Sequence, residues 1–192
     1  MEKFSKKRNR AFTLVETLVA ISIFTMSLLS IMVVLGQGIA DTNYAKNKII
    51  AAYLAQEGIE YLRNMRDTYV LYSSGNSGWP QFLNKLTNPT ARCNQNSGCY
   101  FGDLSVGDFT NPSQPMIGLS ITSCSSTCPV LLYNSTIGKY NYLSGANSGF
   151  VRKMQTTQIS ADEVKIFSTI YWPSGSGTHA ITFSENLFNW IE

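Results

Sequence analysis

Glu16 is the one charged side chain in the run FTLVETLVAISIFTMSLLSIMVVL, Phe12 to Leu35. A charge at the centre of a membrane helix costs roughly 2.5 to 3.5 kcal/mol on insertion scales, and such residues tend to mark a function. The chemistry open to Glu16 is neutralisation of a cation brought into the same apolar surroundings. The four cysteines are the second candidate set, in two close couples, Cys93 with Cys99 and Cys124 with Cys128. Thiols so placed either oxidise or hold zinc, but four-cysteine zinc sites use a tighter spacing than Cys93 to Cys99, and the one histidine, His179, is distant in sequence. Disulfides are therefore expected, with local pairing the simplest of three connectivities. Asp103 and Asp108 hint at calcium but lack an evident ligand set and read as turn residues, so no metal is expected. His179, beside a Gly/Ser loop, reads as an exposed hairpin residue rather than a base. There is no G-x-S-x-G elbow and no phosphate-cradling glycine motif. No catalytic residue and no cofactor is expected.

These residues need elements to place them. As a helix, Phe12 to Leu35 reaches about 36 Å, enough to cross a hydrocarbon core of about 30 Å. It is longer than the apolar core of an ordinary secretory signal, although Gly36 and Gly38 could form a small-residue cut site. Lys3, Lys6, Lys7, Arg8 and Arg10 precede it and should hold the N-terminus in the cytoplasm, with the remainder outside. The formal charge of +3 comes from fifteen basic and twelve acidic side chains. Without residues 1 to 11, which carry five of the former and one of the latter, ten and eleven remain. A nucleic-acid partner is thus not indicated.

Ala11-Phe12-Thr13-Leu14-Val15-Glu16, after the short basic opening MEKFSKKRNRA, resembles the class III signal of type IV prepilins and type II secretion pseudopilins. The resemblance implies a prepilin peptidase and methyltransferase that cuts between Ala11 and Phe12 and N-methylates Phe12. It implies that Glu16 answers the new ammonium, a neighbouring subunit's being the family's favoured partner. Ala11 departs from the usual glycine before the cut. The implied organisation is a leader over 1–11, a transmembrane and filament-core helix over 12–35, and an extracytoplasmic head over 36–192. The implied function is that of a minor pilin or pseudopilin. Such a subunit waits in the inner membrane and enters a filament at the cell surface, with other subunits, an assembly platform and a separate ATPase as partners. Pilus, DNA-uptake filament and secretion pseudopilus all remain open. The alternative is a single-span membrane protein with a disulfide-stapled binding head.

Beyond Leu35 the pattern turns amphipathic. Ile50, Tyr53, Leu54, Gly58, Tyr61, Leu62, Met65 and Tyr69 recur at helical spacing, which extends the helix to about Tyr69. Its polar side, with Lys46, Lys48, Glu57, Glu60, Arg63, Arg66 and Asp67, reads as solvated or subunit-facing, with Glu60–Arg63 and Arg63–Asp67 at pairing distance. The segment LAQEGIEYLRNMRD, Leu54 to Asp67, also resembles minor pilins of the pilus-modification kind. Tyr72 to about Pro115 reads as an irregular loop anchored by Trp79 and Phe82. Val130 to Tyr133, Lys139 to Leu143, Phe150 to Ile159, Val164 to Trp172 and Ala180 to Phe188 read as strands. Asn134-Ser135-Thr136 reads as a turn rather than a glycosylation site. The expected fold class is α+β and pilin-like. A long N-terminal helix, its apolar half protruding and its amphipathic half packed, lies on a C-terminal antiparallel sheet.

Overall fold

The computed structural model describes residues 13–73, 77–102, 119–175 and 177–190. Helix α1 spans Leu14–Tyr72, α2 spans Gly78–Thr87, and seven strands follow: β1 Cys99–Phe101, β2 Ile121–Ser123, β3 Val130–Asn134, β4 Lys139–Asn141, β5 Ala146–Ser160, β6 Glu163–Ser174 and β7 Gly177–Phe188. The arrangement is α+β and pilin-like, a long helix with a C-terminal antiparallel sheet. The chain divides into two compact units, Met1–Tyr44 and Ala45–Glu192. The described part of the first unit is helix from Leu14, with its apolar side chains exposed.

In the second unit β5 is the organising strand. β6 pairs along one side of it, while β3 pairs over its first half on the other side and β1 meets it at Met154. β2 and β4 extend β1 and β3, and β7 pairs with β6. Alternation decides which side chains face inward: Phe150, Arg152, Met154 and Thr156 of β5, and Val164, Ile166, Ser168, Ile170 and Trp172 of β6, all lie on buried positions. Ser168, though polar, holds one of these inward positions.

The buried stripe of α1 is Ala51, Leu54, Ala55, Gly58, Ile59, Leu62, Met65, Arg66, Thr68 and Tyr69. It is rotated from the expected one: Tyr53 is 70% exposed, while Ala51 and Ala55 are wholly buried. The reason is the close approach of the helix to the sheet. A Cβ built on Gly58 would lie 2.7 Å from Ser168 Oγ, 2.9 Å from Met154 Sδ and 3.2 Å from Arg152 Cδ. Small residues are selected on the line of closest contact, and the larger tyrosine is turned out.

The polar side of α1 forms ion pairs that differ from those expected. Arg63 pairs with Glu60 at 2.7 Å as expected, but its main partner is Glu185 of β7, which it grips through Nε and Nη2. That carboxylate's hydrogen bonds raise the Arg63 pKa against the opposing effect of burial. Asp67 pairs with Arg66 instead, at 2.5 Å. Arg66 is itself buried, donates to the Phe188 carbonyl and lies over the Trp190 ring. Arginine places its charge at the rim while its stem fills the helix–sheet seam.

The expected irregular loop after Tyr72 contains a helix and a strand among its described residues, α2 and β1. Glycine, serine and asparagine near these elements mask a ten-residue helix whose apolar face is Trp79, Phe82 and Leu86, all buried. Trp79 Nε1 donates to the Ala161 carbonyl at 2.8 Å, anchoring α2 to the β5–β6 turn. The five expected strands correspond to β3 through β7 with small shifts at their ends. Asn134 Oδ1 accepts from the Thr136 and Ile137 amides, so that tripeptide forms a turn.

Candidate functional site

At the start of α1 the first helical amides have no carbonyl behind them. Thr13 and Glu16 answer part of that need. Thr13 Oγ1 accepts from the Glu16 amide at 3.3 Å, and Glu16 Oε2 accepts from the Thr13 amide and hydroxyl at 3.5 Å. The Thr13 carbonyl receives the Thr17 amide, as a helix N-cap requires. This reciprocal pattern is a capping box, whose mark is threonine followed three residues later by glutamate before an apolar run. The signal was present in Thr13-Leu14-Val15-Glu16.

The other hydroxyls do bond back. Thr17, Ser22, Thr25, Ser27 and Ser30 donate to carbonyls three or four residues earlier, and so does Thr42. Their polarity is thereby spent within the helix, which leaves an apolar exterior from Leu14 to Leu35 interrupted by Glu16. The helix is long and apolar enough to cross a membrane, and the side chains of its apolar stretch are exposed. Lipid or other helices are the surroundings that such a surface fits. Ala11 and Phe12, the residues of the expected cut and methylation, lie outside the described residues, as do Asp103 and Asp108.

In the second unit the cysteines are joined, Cys93 to Cys99 and Cys124 to Cys128. Cys93 and Cys99 lie in the hydrophobic core beside Leu86 and Met154, and the Cys93 carbonyl accepts from the Thr156 amide of β5. The Cys124 amide donates to the Gly98 carbonyl, so the second bridge stands next to the first across the β1–β2 ladder. Bridges that close such short loops contribute about 2 kcal/mol each through the unfolded chain. Serine at Cys93 should cost more than serine at Cys124, because it also places a hydroxyl in the core. Denaturant unfolding of the two variants checks the order, and equal losses would contradict the core role of the first bridge.

Arg152 is the feature that sequence reading missed. It is 4% exposed on β5, and its Nη1 reaches Glu57 Oε2 at 2.9 Å and the Leu54 carbonyl at 3.4 Å. The rings of Tyr61 and Phe101 flank its guanidinium at 5.6 and 5.7 Å. Burial alone would lower its pKa, and the neighbouring Tyr142, Glu57 and Tyr61 outweigh that and raise it. A cavity of about 510 Å³ opens beside this cluster, between Tyr61, Tyr140 and Tyr142. Burial raises the Tyr140 phenol above its usual pKa. His179 stacks on Trp172 with ring centroids 5.9 Å apart, in β7 rather than in the hairpin loop. Among the described residues no cluster of three or more His, Cys, Asp or Glu could hold a metal.

Residues 6–32 match the prokaryotic N-terminal methylation motif. This is the type IV pilin and pseudopilin signal. No curated protein and no solved structure matches the chain. The match takes in Ala11, Phe12, Thr13 and Glu16, together with most of the exposed apolar run. It marks a pilin-like chain processed by a prepilin peptidase and assembled with other pilins. The apolar helix is consistent with a single-pass membrane anchor.

Proposed function

We propose that this chain is a minor pilin or pseudopilin, a structural subunit of a type IV pilus-like or type II secretion filament. The observation that carries the reading is the methylation motif over residues 6–32, coincident with the exposed apolar stretch of α1 from Leu14 to Leu35, whose one charge is Glu16. Cleavage between Ala11 and Phe12 leaves the basic segment in the cytoplasm and creates an ammonium on Phe12, which the methyltransferase modifies. That ammonium enters apolar surroundings when helices stack, and the Glu16 carboxylate of a neighbouring subunit neutralises it. An inner-membrane platform and a separate ATPase supply the site and the energy of assembly. The described head supplies the outer surface.

N-terminal sequencing of the membrane-extracted protein tests the reading. A free or methylated Phe12 supports it, whereas an intact Met1 identifies a permanent anchor and favours the alternative of a single-span protein with a binding head. Replacing Ala11 by arginine should leave full-length precursor, because the small residue before Phe12 is what the peptidase reads. An unchanged mature mass in that variant refutes the cut site.

A further inference from the structure

β7 is the outer strand of the sheet. Its twelve residues pair with β6 in an unbroken register from Glu163↔Phe188 to Ser174↔Gly177, and among the described residues nothing pairs with its other side. Proteins guard such edges with lysine, proline, bulges or brevity, and β7, GTHAITFSENLF, has none of these. Its one charged residue, Glu185, is held by Arg63 on the helix side. The outward amides and carbonyls of about half of its residues call for an extended polypeptide.

The side chains favour one occupant. We propose that β7 pairs antiparallel with β7 of a second copy of this chain, about a two-fold axis through Thr182. In that register His179 stands opposite the partner's Glu185, and Glu185 opposite the partner's His179. Ile181 and Phe183 stand opposite the partner's Phe183 and Ile181, while Ala180 meets the partner's Ser184. The pairs nearest the axis thus set a histidine against a carboxylate, apolar against apolar and small against small, combinations that suit an antiparallel ladder. Ile181 and Phe183 share the sheet side of Ile170 and Ser168, yet Phe183 is still 36% exposed, so the added strand covers apolar surface left open in one copy. A shift by one residue either way sets side chains of the two faces against each other, and a shift by two separates His179 from Glu185. α1 and β7 run in the same direction, Arg63 over Glu185 and Arg66 over Phe188. The partner's residues 45–72 therefore run the opposite way across the joined sheet, and the two copies approach from opposite directions. This pairing does not depend on the filament reading.

All four native cysteines are in disulfides, so an introduced cysteine is the one free thiol. The full chain is purified in detergent as Thr182→Cys and oxidised mildly, beside Thr157→Cys, at a position that is also exposed, on β5. Thr182→Cys should become mostly covalent dimer and Thr157→Cys should stay monomeric. Ala180→Cys mixed with Ser184→Cys, each carrying a different tag, should link to each other far more than either links to itself. By light scattering the wild-type chain should self-associate, and Thr182→Lys, which sets two ammonium groups face to face, should abolish that association. Equal cross-linking at residues 157 and 182, or no preference for the 180–184 combination, overturns the proposal.

Discussion

Glu16→Ala chains will be inserted and trimmed of their leader, yet will be nearly absent from sheared filaments. The peptidase works beside Ala11, whereas Glu16 answers the charge uncovered at Phe12 under the proposed mechanism. While the subunit sits alone in the membrane, water and lipid headgroups solvate that ammonium. In a packed helical core they are excluded, and an ion pair left with one member costs about 3 to 5 kcal/mol, or about two to three and a half orders of magnitude in the assembly equilibrium. The geometry adds a second contribution that must be separated from the first. Glu16 also caps α1 through Thr13, and loss of a cap costs about 1 kcal/mol. Glutamine retains the capping-box bonds but carries no charge. Glu16→Gln should therefore fail at assembly nearly as completely as Glu16→Ala, and Thr13→Ala should fail far less. Precursor, mature membrane subunit and filament fractions are compared for the three variants. If Glu16→Gln enters filaments normally, the carboxylate acts as a helix cap and the charge-pairing role is wrong.

Gly58→Leu should be the most damaging single change in the head. The closest contacts of a Cβ at this position are with Ser168, Met154 and Arg152, the inward side chains of β5 and β6. Alanine gains about 1 kcal/mol of helix propensity over glycine and loses about 1 to 3 kcal/mol to overpacking, a net loss of about 1 kcal/mol. Leucine adds three further carbons where the seam has no room, so the helix must lift from the sheet, at about 3 kcal/mol or more. Ser168 offers the internal control. Its hydroxyl is buried without a hydrogen-bond partner, so Ser168→Ala should be nearly neutral alone. Removing that oxygen also removes the nearest obstacle to a Cβ at Gly58. Ser168→Ala should then recover much of the Gly58→Ala loss, as a coupling in a double-mutant cycle. Denaturant midpoints of the four proteins measure it. Strict additivity would show that the helix–sheet spacing at Gly58 is not limited by Ser168.

Local pattern carried much of this molecule. The apolar run, the isolated Glu16 and the T-x-x-E start of α1 are properties of neighbouring residues, as are the cysteine couples and the alternation of β5, β6 and β7. Short-range physics is enough for each: helical rise sets the reach of Phe12 to Leu35, and a period of two decides the faces of a strand. What the sequence left open depends on contacts between distant residues. The same spacing on α1 suits a stripe through Tyr53 or one through Ala51 and Ala55, and the choice falls to the small pair because the sheet comes close at Gly58. Arg63 has Glu60 and Asp67 at helical distance, but the bidentate partner is Glu185, far along the chain. Arg152 carries no local sign of burial. It is tolerated inside because Glu57, the Leu54 carbonyl and two aromatic rings converge on it from α1 and β1. Likewise α2 is hidden by glycine- and asparagine-rich flanks and becomes a helix whose face of Trp79, Phe82 and Leu86 is buried in the head. Tertiary packing decides these points because a helix face, a charge partner and a marginal helix each have several local solutions of similar energy. Burial against a particular surface selects one.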